Sequence, residues 1–519
     1  MTAITPPLSL SRTRVTTQWN LRYVLRCATI WLCFCGFLAA GVAVRRWVWV
    51  HSTDIRFKGD IDNGFHRGLQ VNQSQQTDFT RAPTWKEFFA GYHAIYQQEK
   101  DHPSGWMKFD YSPMRLLVMS VWVHGILASD PGAAGWVDRD VSPLLWFNTI
   151  CALISAIGVY LLVRQWMLRR AAAHPENPPR AITLRAWAAA LCLWFNPAVL
   201  LDAHVWPQWD IWCVPFFIWA IFAGSSGGWF WTGVLIALGA MFKGQILIVA
   251  PAILVWCIFV GGIFQTALMI LGMLTVGVLI GSIWLLPTGT AWAALVVFVT
   301  LAALIGLLLS KRLRNKWVYY MAALLCVGLI LGAWYFNGSL VWLHTSFDGA
   351  ADNFRVLRLD AITFAGTLAY RWGWQIDDPV FTWHTHVVTM NYLLRGIYIG
   401  LMLLCGIAAA LQTRRRDPRV LVALIAPWIL MFALLPQMHE RYLMWGAAVA
   451  AIGVGINLEL TILFLITTAI ACASILVPIY HVGPLAQFID HLDPDIGWVV
   501  LFLALAYFYQ GWKRDRAFV

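Results

Sequence analysis

The chain has 519 residues, 60% of them hydrophobic and only 12% charged, with 37 basic against 26 acidic residues and a net charge of +11. A soluble domain is about 45–50% apolar and about 25% charged, and no polar linkers divide this chain as they would a soluble protein of its size. A soluble enzyme, a disordered chain and a nucleic-acid-binding protein are therefore excluded, and so is an outer-membrane barrel, whose strands alternate apolar with polar.

The first apolar run, Val24 to Val50, is too long for a signal-peptide core. It follows Arg12, Arg14, Arg22 and Arg26. It reads as an uncleaved first span with a cytoplasmic N-terminus. Arg45 and Arg46 stand near its outer end, where they can snorkel to head groups or to an anionic ligand. The 10 cysteines lie mostly inside apolar runs, with no zinc spacing and no disulfide framework. Cys33 and Cys35 read as buried thiols rather than a redox pair.

At about 20 residues per crossing, roughly fourteen spans are expected. They begin near Arg22, Val141, Arg185, Gln208, Gly228, Gln245, Ile263, Thr290, Trp317, Val387, Val420, Tyr442, Glu459 and Gly497. The expected fold class is an all-α polytopic membrane protein. Five basic clusters hold 20 of the 37 basic residues: the N-terminal arm, Arg164–Arg185, Lys311–Lys316, Arg414–Arg419 and Lys513–Arg516. An even number of spans puts all five on the cytoplasmic side. The divisions that follow are a cytoplasmic arm over 1–21, a first helix over 22–50 and a large outer segment over 51–142. Helices two to nine then occupy 143–336, a second outer segment 337–386, helices ten to fourteen 387–511 and a cytoplasmic tail 512–519.

The first outer segment holds 11 of the 26 acidic residues. It contains helix-like pieces at Trp85–Gln98 and Met114–Leu127, the second read as an interfacial helix. Just beyond span one lies Gly59-Asp-Ile-Asp-Asn-Gly-Phe-His66. A carboxylate there is a candidate base. In a strand Asp60 and Asp62 would point opposite ways, so one at most faces a site. A solvated acidic loop would carry the same residues. Next comes Lys108-Phe-Asp-Tyr-Ser-Pro113, where Asp110 suits a site or the N-terminus of the helix opened by Pro113.

The link between spans three and four places Asp202, His204, Gln208 and Asp210 at membrane depth or its edge. Ionisable groups there are costly and suggest function. The competing explanation is a hydrogen-bonded cluster that locks two helices. Lys243 is a lone cation between two spans, suited to a carboxylate or an anionic substrate. Last, Pro436-Gln-Met-His-Glu-Arg-Tyr442 sets three ionisable groups at the outer end of span eleven. Arg441 can hold a phosphate bidentately. His439 can donate to the same oxygens while Glu440 orients one of them, although a local Glu–Arg pair would look the same. Carboxylates in an outer loop and cations at the membrane edge suit transfer of a group from a lipid-linked phosphate.

These motifs resemble the GT-C superfamily of polyprenyl-phosphate-sugar-dependent glycosyltransferases. The likeness is to the glucosyltransferases that extend lipid-linked oligosaccharides. Their Gly-Asp-Tyr-Glu-Ala-Gln-Arg-His pattern is matched by Gly59, Asp60 and His66, with Asp62 in place of Glu. Their Asp-Tyr-Pro-Pro-Leu resembles Asp110, Tyr111, Ser112, Pro113 and Met114. Their Asp-His-Gly-His-Phe-Gln-Tyr-Asn is similar to the run from Asp202 through His204 and Gln208 to Asp210, one residue out of step after His204. A Lys-Gln pair resembles Lys243-Gly-Gln245. The Met-His-Glu-Arg-Tyr-Leu version of the last motif, at His439, Glu440 and Arg441, is similar to that in bacterial and archaeal GT-C mannosyltransferases.

The resemblance implies a GT-C-like bundle with a helical first extracytoplasmic loop. It implies inverting transfer of a hexose, mannose or glucose, from an undecaprenyl-, decaprenyl- or dolichyl-phosphate donor. The acceptor would be a lipid-linked glycan or glycolipid. Asp60 would be the general base, with Asp62, Asp110, His66 and Asp202 as alternative base or acceptor-binding groups. Arg441, His439 and Lys243 would hold the donor phosphate, supported by Glu440, Tyr111, His204, Gln208 and Asp210. No metal is expected; a cation held by converging Asp60, Asp62 and Asp110 is the lesser reading. The partners expected are the lipid donor, the acceptor and the bilayer, with no nucleic acid. The Met-His-Glu-Arg-Tyr form and the lack of a retention signal favour a bacterial cytoplasmic membrane over the endoplasmic reticulum. The competing functions are a transporter or lipid-carrier flippase, and an oligosaccharide polymerase or ligase using a lipid diphosphate.

Overall fold

The computed structural model describes residues 21–53, 59–101, 111–131, 140–176, 181–285, 316–348, 356–357, 361–384, 386–479 and 484–514. Asp110, the expected span near Thr290, most of the Lys311–Lys316 cluster and the basic residues before Leu21 lie outside these. The chain divides into two compact units, 1–47 and 48–519.

The first unit carries most of helix α1 (Leu21–His51). Within it the Arg45 Nη1 donates to the Gly41 carbonyl one turn back, at 3.1 Å. Cys33 and Cys35 are free and exposed, not buried as expected. They stand two residues apart on an apolar helix.

Among its described residues the regular structure of the second unit is helical apart from one hairpin. Among the described residues seven helices are long and apolar enough to cross a membrane, α1 included. The chain is a predominantly α-helical membrane protein. Among the described residues helices begin near most of the expected span starts, but Val387 falls in a strand, Gln208 precedes its helix in irregular backbone, and Gly497 lies inside a helix that starts at Pro484. Helices α2 (Gly59–Gln73), α3 (Trp85–Asp101) and α4 (Pro113–Ser129) form the loop module. Helices α5 (Ser142–Ala173), α6 (Ile182–Trp194) and the single turn α7 (Pro197–Leu200) follow. Then come α8 (Val214–Ser225), α9 (Trp229–Phe242) and α10 (Ile246–Leu285). The later helices are α11 (Trp317–Tyr335), α12 (Phe364–Trp372), α13 (Met390–Arg414) and α14 (Arg419–Leu434). The last three are α15 (Leu443–Val454), α16 (Leu458–Ile479) and α17 (Pro484–Trp512).

Two expectations change here. The Gly59–His66 segment is the start of a helix, not a strand. Its Gly and Asn residues are poor helix formers, and packing overrides them. Gly68 sits so close to α4 that a Cβ would lie 2.7 Å from the Met119 carbonyl oxygen. The second outer segment carries an antiparallel hairpin, Pro379–Trp383 with His386–Thr389. Alternation of valine, threonine and aromatics there suits a strand pair.

Helix α10 runs 40 residues, about 60 Å if straight and twice a bilayer core. Gly262 breaks it with φ 74° and ψ −179°, a backbone that only glycine adopts freely. The spans expected near Gln245 and Ile263 are thus two helices joined by one residue. At the centre, α14 is buried on every side and α15 on nearly every side. A helix that is apolar all round belongs inside a bundle, and α13, α15 and α17 surround α14.

The loop module is held by its own polar contacts. Asn72 donates to the Gly68 and Ser120 carbonyls at 2.9 Å each. Tyr92 donates to the Pro113 carbonyl at 2.6 Å. At the start of α3, Thr84 and Glu87 form a capping box: the Thr84 N–H donates to Glu87 at 2.8 Å and the Glu87 N–H to Thr84 Oγ1 at 3.3 Å. Arg81 grips the same carboxylate with two bonds of 2.9 and 2.6 Å.

Candidate active site

The segment between α6 and α8 is built from broken helix. Asn196 caps α7, its Oδ1 accepting from the Ala198 N–H at 2.9 Å, and its Nδ2 reaches the Ala447 carbonyl at 3.1 Å. The helix then widens into a π turn over Leu201–Val205 and stops before Pro207. A π turn inserts one residue and is common at functional sites. Asn148 of α5 donates to the carbonyls of Ala203 and Gln208, both at 2.9 Å, and accepts from Trp212 Nε1 at 2.6 Å. The Trp445 indole N–H holds the Asp210 carbonyl at 2.7 Å. These four side chains lock the segment.

The side chains of Asp202 and Gln208 take no part in that locking. Both residues are 0% exposed, and neither carboxylate oxygen of Asp202 nor either amide atom of Gln208 has a hydrogen-bond partner among the described residues. A buried polar group left unsatisfied costs about 1–3 kcal/mol, more when charged. Buried groups of this kind call for an explanation. A polar ligand that completes them is one. His204, by contrast, is bonded to Thr149 Oγ1 at 3.3 Å.

Four segments meet around Asp210. Its carboxylate forms a buried ion pair with the Lys243 ammonium at the end of α9. Arg441 Nε stands 3.3 Å from the other Asp210 oxygen, without the alignment of a hydrogen bond. Arg441 also contacts Glu440 Oε1 at 3.3 Å, and His439 Nδ1 lies 3.8 Å from Glu440 Oε2. Glu440 thus stands between the two expected phosphate donors. Tyr442 stacks on Trp445 at 4.6 Å, and the Lys243 Nζ lies 5.6 Å from both rings. Such faces attract cations.

Asp60 enters from α2. Its Oδ2 accepts the Trp206 indole N–H at 2.9 Å. Arg441 lies in turn over the Trp206 ring at 5.6 Å. The fields of Asp60 and Asp210 both act on Arg441, and those of Asp60, Asp210, Arg441 and Lys243 on Asp202. Asp60, Asp202, Asp210, Lys243, Glu440 and Arg441 therefore make one charged centre.

The remaining expected residues separate. Asp62 is buried, two positions on and about 200° round α2 from Asp60. His66 is exposed beside Phe65. Tyr111 is buried, its carbonyl accepting from Tyr96 at 2.8 Å and Ser346 at 3.2 Å. Among the described residues no three His, Cys, Asp or Glu side chains gather as a metal site.

Four contributors were not singled out from the sequence: Trp206, Asn148, Trp445 and Arg115. The Arg115 guanidinium lies 4.0 Å over the Tyr111 ring and acts electrostatically on Asp210 and Lys243. A lone arginine on the apolar helix α4, and a lone amide early in α5, were the available signals. The centre offers carboxylates that can take a proton from a hydroxyl, beside cations that can hold an anion. No protein-family model and no curated protein matches the chain.

Proposed function

We propose that this protein is a membrane glycosyltransferase of the GT-C type. It transfers a hexose, mannose or glucose, from a polyprenyl-phosphate donor to a lipid-linked glycan, glycolipid or other acceptor, with inversion. The observation that carries the reading is the convergence of Asp60, Asp202 and Asp210 with Lys243 and Arg441, from segments nearly 400 residues apart, between apolar helices. Roughly fourteen spans, an extracytoplasmic site and a bacterial cytoplasmic membrane belong to the same reading, with the endoplasmic reticulum as the alternative.

In the mechanism, Asp60 takes the acceptor hydroxyl proton. The freed oxygen pair attacks the anomeric carbon. The carbon–oxygen bond to the phosphate breaks, and the polyprenyl phosphate leaves with that electron pair. General-base help of this kind contributes about 10²–10⁴-fold. Arg441 and His439 stabilise the departing phosphate, with Lys243 behind them. Trp206 positions Asp60. Asp202 and Gln208 accept and donate to acceptor hydroxyls. Holding both lipid-bound partners in one cleft supplies the orientation.

The test is purified protein in lipid, given radiolabelled polyprenyl-phosphate sugars and crude lipid and glycan acceptors. Transfer of label to an acceptor supports the reading. A second reading rests on Asp202, whose buried, unbonded carboxylate also suits a proton-carrying transporter or flippase. Label that crosses the bilayer without transfer would support that instead.

A further inference from the structure

A cavity of about 390 Å³ lies between α3, the end of α10 and the turn at Val341–Leu343. Its volume falls in the range of small-molecule sites, about 300–1,000 Å³. One wall is aromatic. Trp284 stacks on Trp342 at 5.7 Å and 28°, and Tyr96 stands edge-on to Trp284 at 5.1 Å. The Trp342 indole N–H is buried without a hydrogen-bond partner among the described residues. The polar residues of the lining are His93, Gln97, Gln98, Asp101 and Ser339. None of the described lining residues is Lys or Arg.

That chemistry selects among ligands. Without cations, the cavity does not suit a phosphate. With two carboxamides, a carboxylate, an imidazole and a hydroxyl beside its apolar surface, it suits a ligand that has both polar and apolar faces. Carboxamides donate and accept at once, as the hydroxyls of a sugar do. Aromatic rings supply an apolar wall for the C–H face of a pyranose. The ligand class that uses all of these is a neutral saccharide.

The cavity is also coupled to the charged centre. Tyr96 of its wall holds the Tyr111 carbonyl at 2.8 Å, and Tyr111 carries Arg115. The turn that supplies Val341 and Trp342 continues into Ser346, which bonds Tyr111, and Phe347. Phe347 packs so close to Gly244 that a Cβ there would lie 2.9 Å from its ring. Gly244 follows Lys243. One short segment therefore touches both the cavity and the backbone of the centre.

We propose that this cavity is a saccharide subsite that binds the non-reacting sugars of the acceptor. Its placement rests on the glycosyltransferase reading; its chemistry does not. The test uses the full chain in lipid nanodiscs and a panel of neutral manno-, gluco- and galacto-oligosaccharides, with binding read by saturation-transfer NMR and calorimetry. Wild type and Asp60→Asn should bind at least one oligosaccharide equally. Ala94→Trp, which fills the cavity, and Gln97→Ala with Asp101→Asn, on its exposed rim, should each weaken binding about tenfold or more, with unchanged melting temperatures. Where transfer is measured, the same variants should raise the acceptor KM and leave the donor KM unchanged. Saccharide binding without transfer would support the subsite and count against the transferase. No binding of any oligosaccharide, or binding and acceptor KM indifferent to both cavity variants, would overturn the subsite even if transfer is intact.

Discussion

The Trp206 indole N–H reaches 146 residues back along the chain to the Asp60 carboxylate, at 2.9 Å. This bond joins the loop module to the broken-helix segment that holds Asp202 and Asp210. It fixes one oxygen of the Asp60 carboxylate, Oδ2. A hydrogen bond to a charged group contributes about 1.5–3 kcal/mol. Trp206→Phe keeps the ring and removes the donor. Transfer should fall about tenfold or more in kcat, with donor KM nearly constant. An unchanged kcat would show that the bond does not position Asp60.

Asp202 separates stability from activity. Its carboxyl group is buried with no hydrogen-bond partner among the described residues, so it gives the fold little. Asp202→Asn keeps the shape and removes the acidic group. The melting temperature should hold or rise while transfer falls about tenfold or more, the pattern of a group kept for function at the expense of stability. Loss of stability and activity together would make Asp202 structural.

Asp210 is the opposite case. It faces Lys243 and Arg441 in a buried setting. Asp210→Ala leaves the buried Lys243 without its ion-pair partner, while Arg441 keeps Glu440, and breaking such a buried pair costs about 3–5 kcal/mol. Asp210→Leu combined with Lys243→Met should recover much of that loss, because neither partner is then left charged. Thermal unfolding of the single and double variants in detergent checks this. Additive losses would contradict a direct pairing.

The cap of α3 has its own pH signature. The two bonds from Arg81, then those from Thr84, hold the half-buried Glu87 carboxyl down to about 2 from its ordinary 4.5. A depressed carboxyl stabilises fully above its unfolded value, and the contribution fades as pH falls through the folded one. The melting-temperature difference between wild type and Glu87→Gln should be complete above about pH 4.5 and vanish towards about pH 2. A difference independent of pH would rule out the ionised Arg81–Glu87 contact as its source.

Long apolar runs were legible in the sequence because periodicity is not needed to recognise them. Hence the helix starts at Ser142, Trp229, Met390 and Leu458 fall near the expected places. The join at Gly262 was hidden, since a single glycine between apolar residues reads equally as a loop. The helix at Gly59 was misread because its glycines and asparagine disfavour helix locally, while close packing on α4 decides the outcome. At the site, the ionisable groups were visible for their cost at membrane depth. Their partners were not: Trp206 meets Asp60, and Asn148 meets Gln208, through contacts far apart in sequence. Arg115 was legible in principle as the one cation of its helix.

The most direct measurement is sugar transfer by wild type and Asp60→Asn in lipid, across a panel of radiolabelled polyprenyl-phosphate sugars. Wild type should transfer label to an acceptor, and Asp60→Asn should reduce that transfer by at least about 10²-fold. Transfer that survives the substitution would move the base to another carboxylate. No transfer with any donor, together with label that crosses the bilayer, would contradict the glycosyltransferase itself.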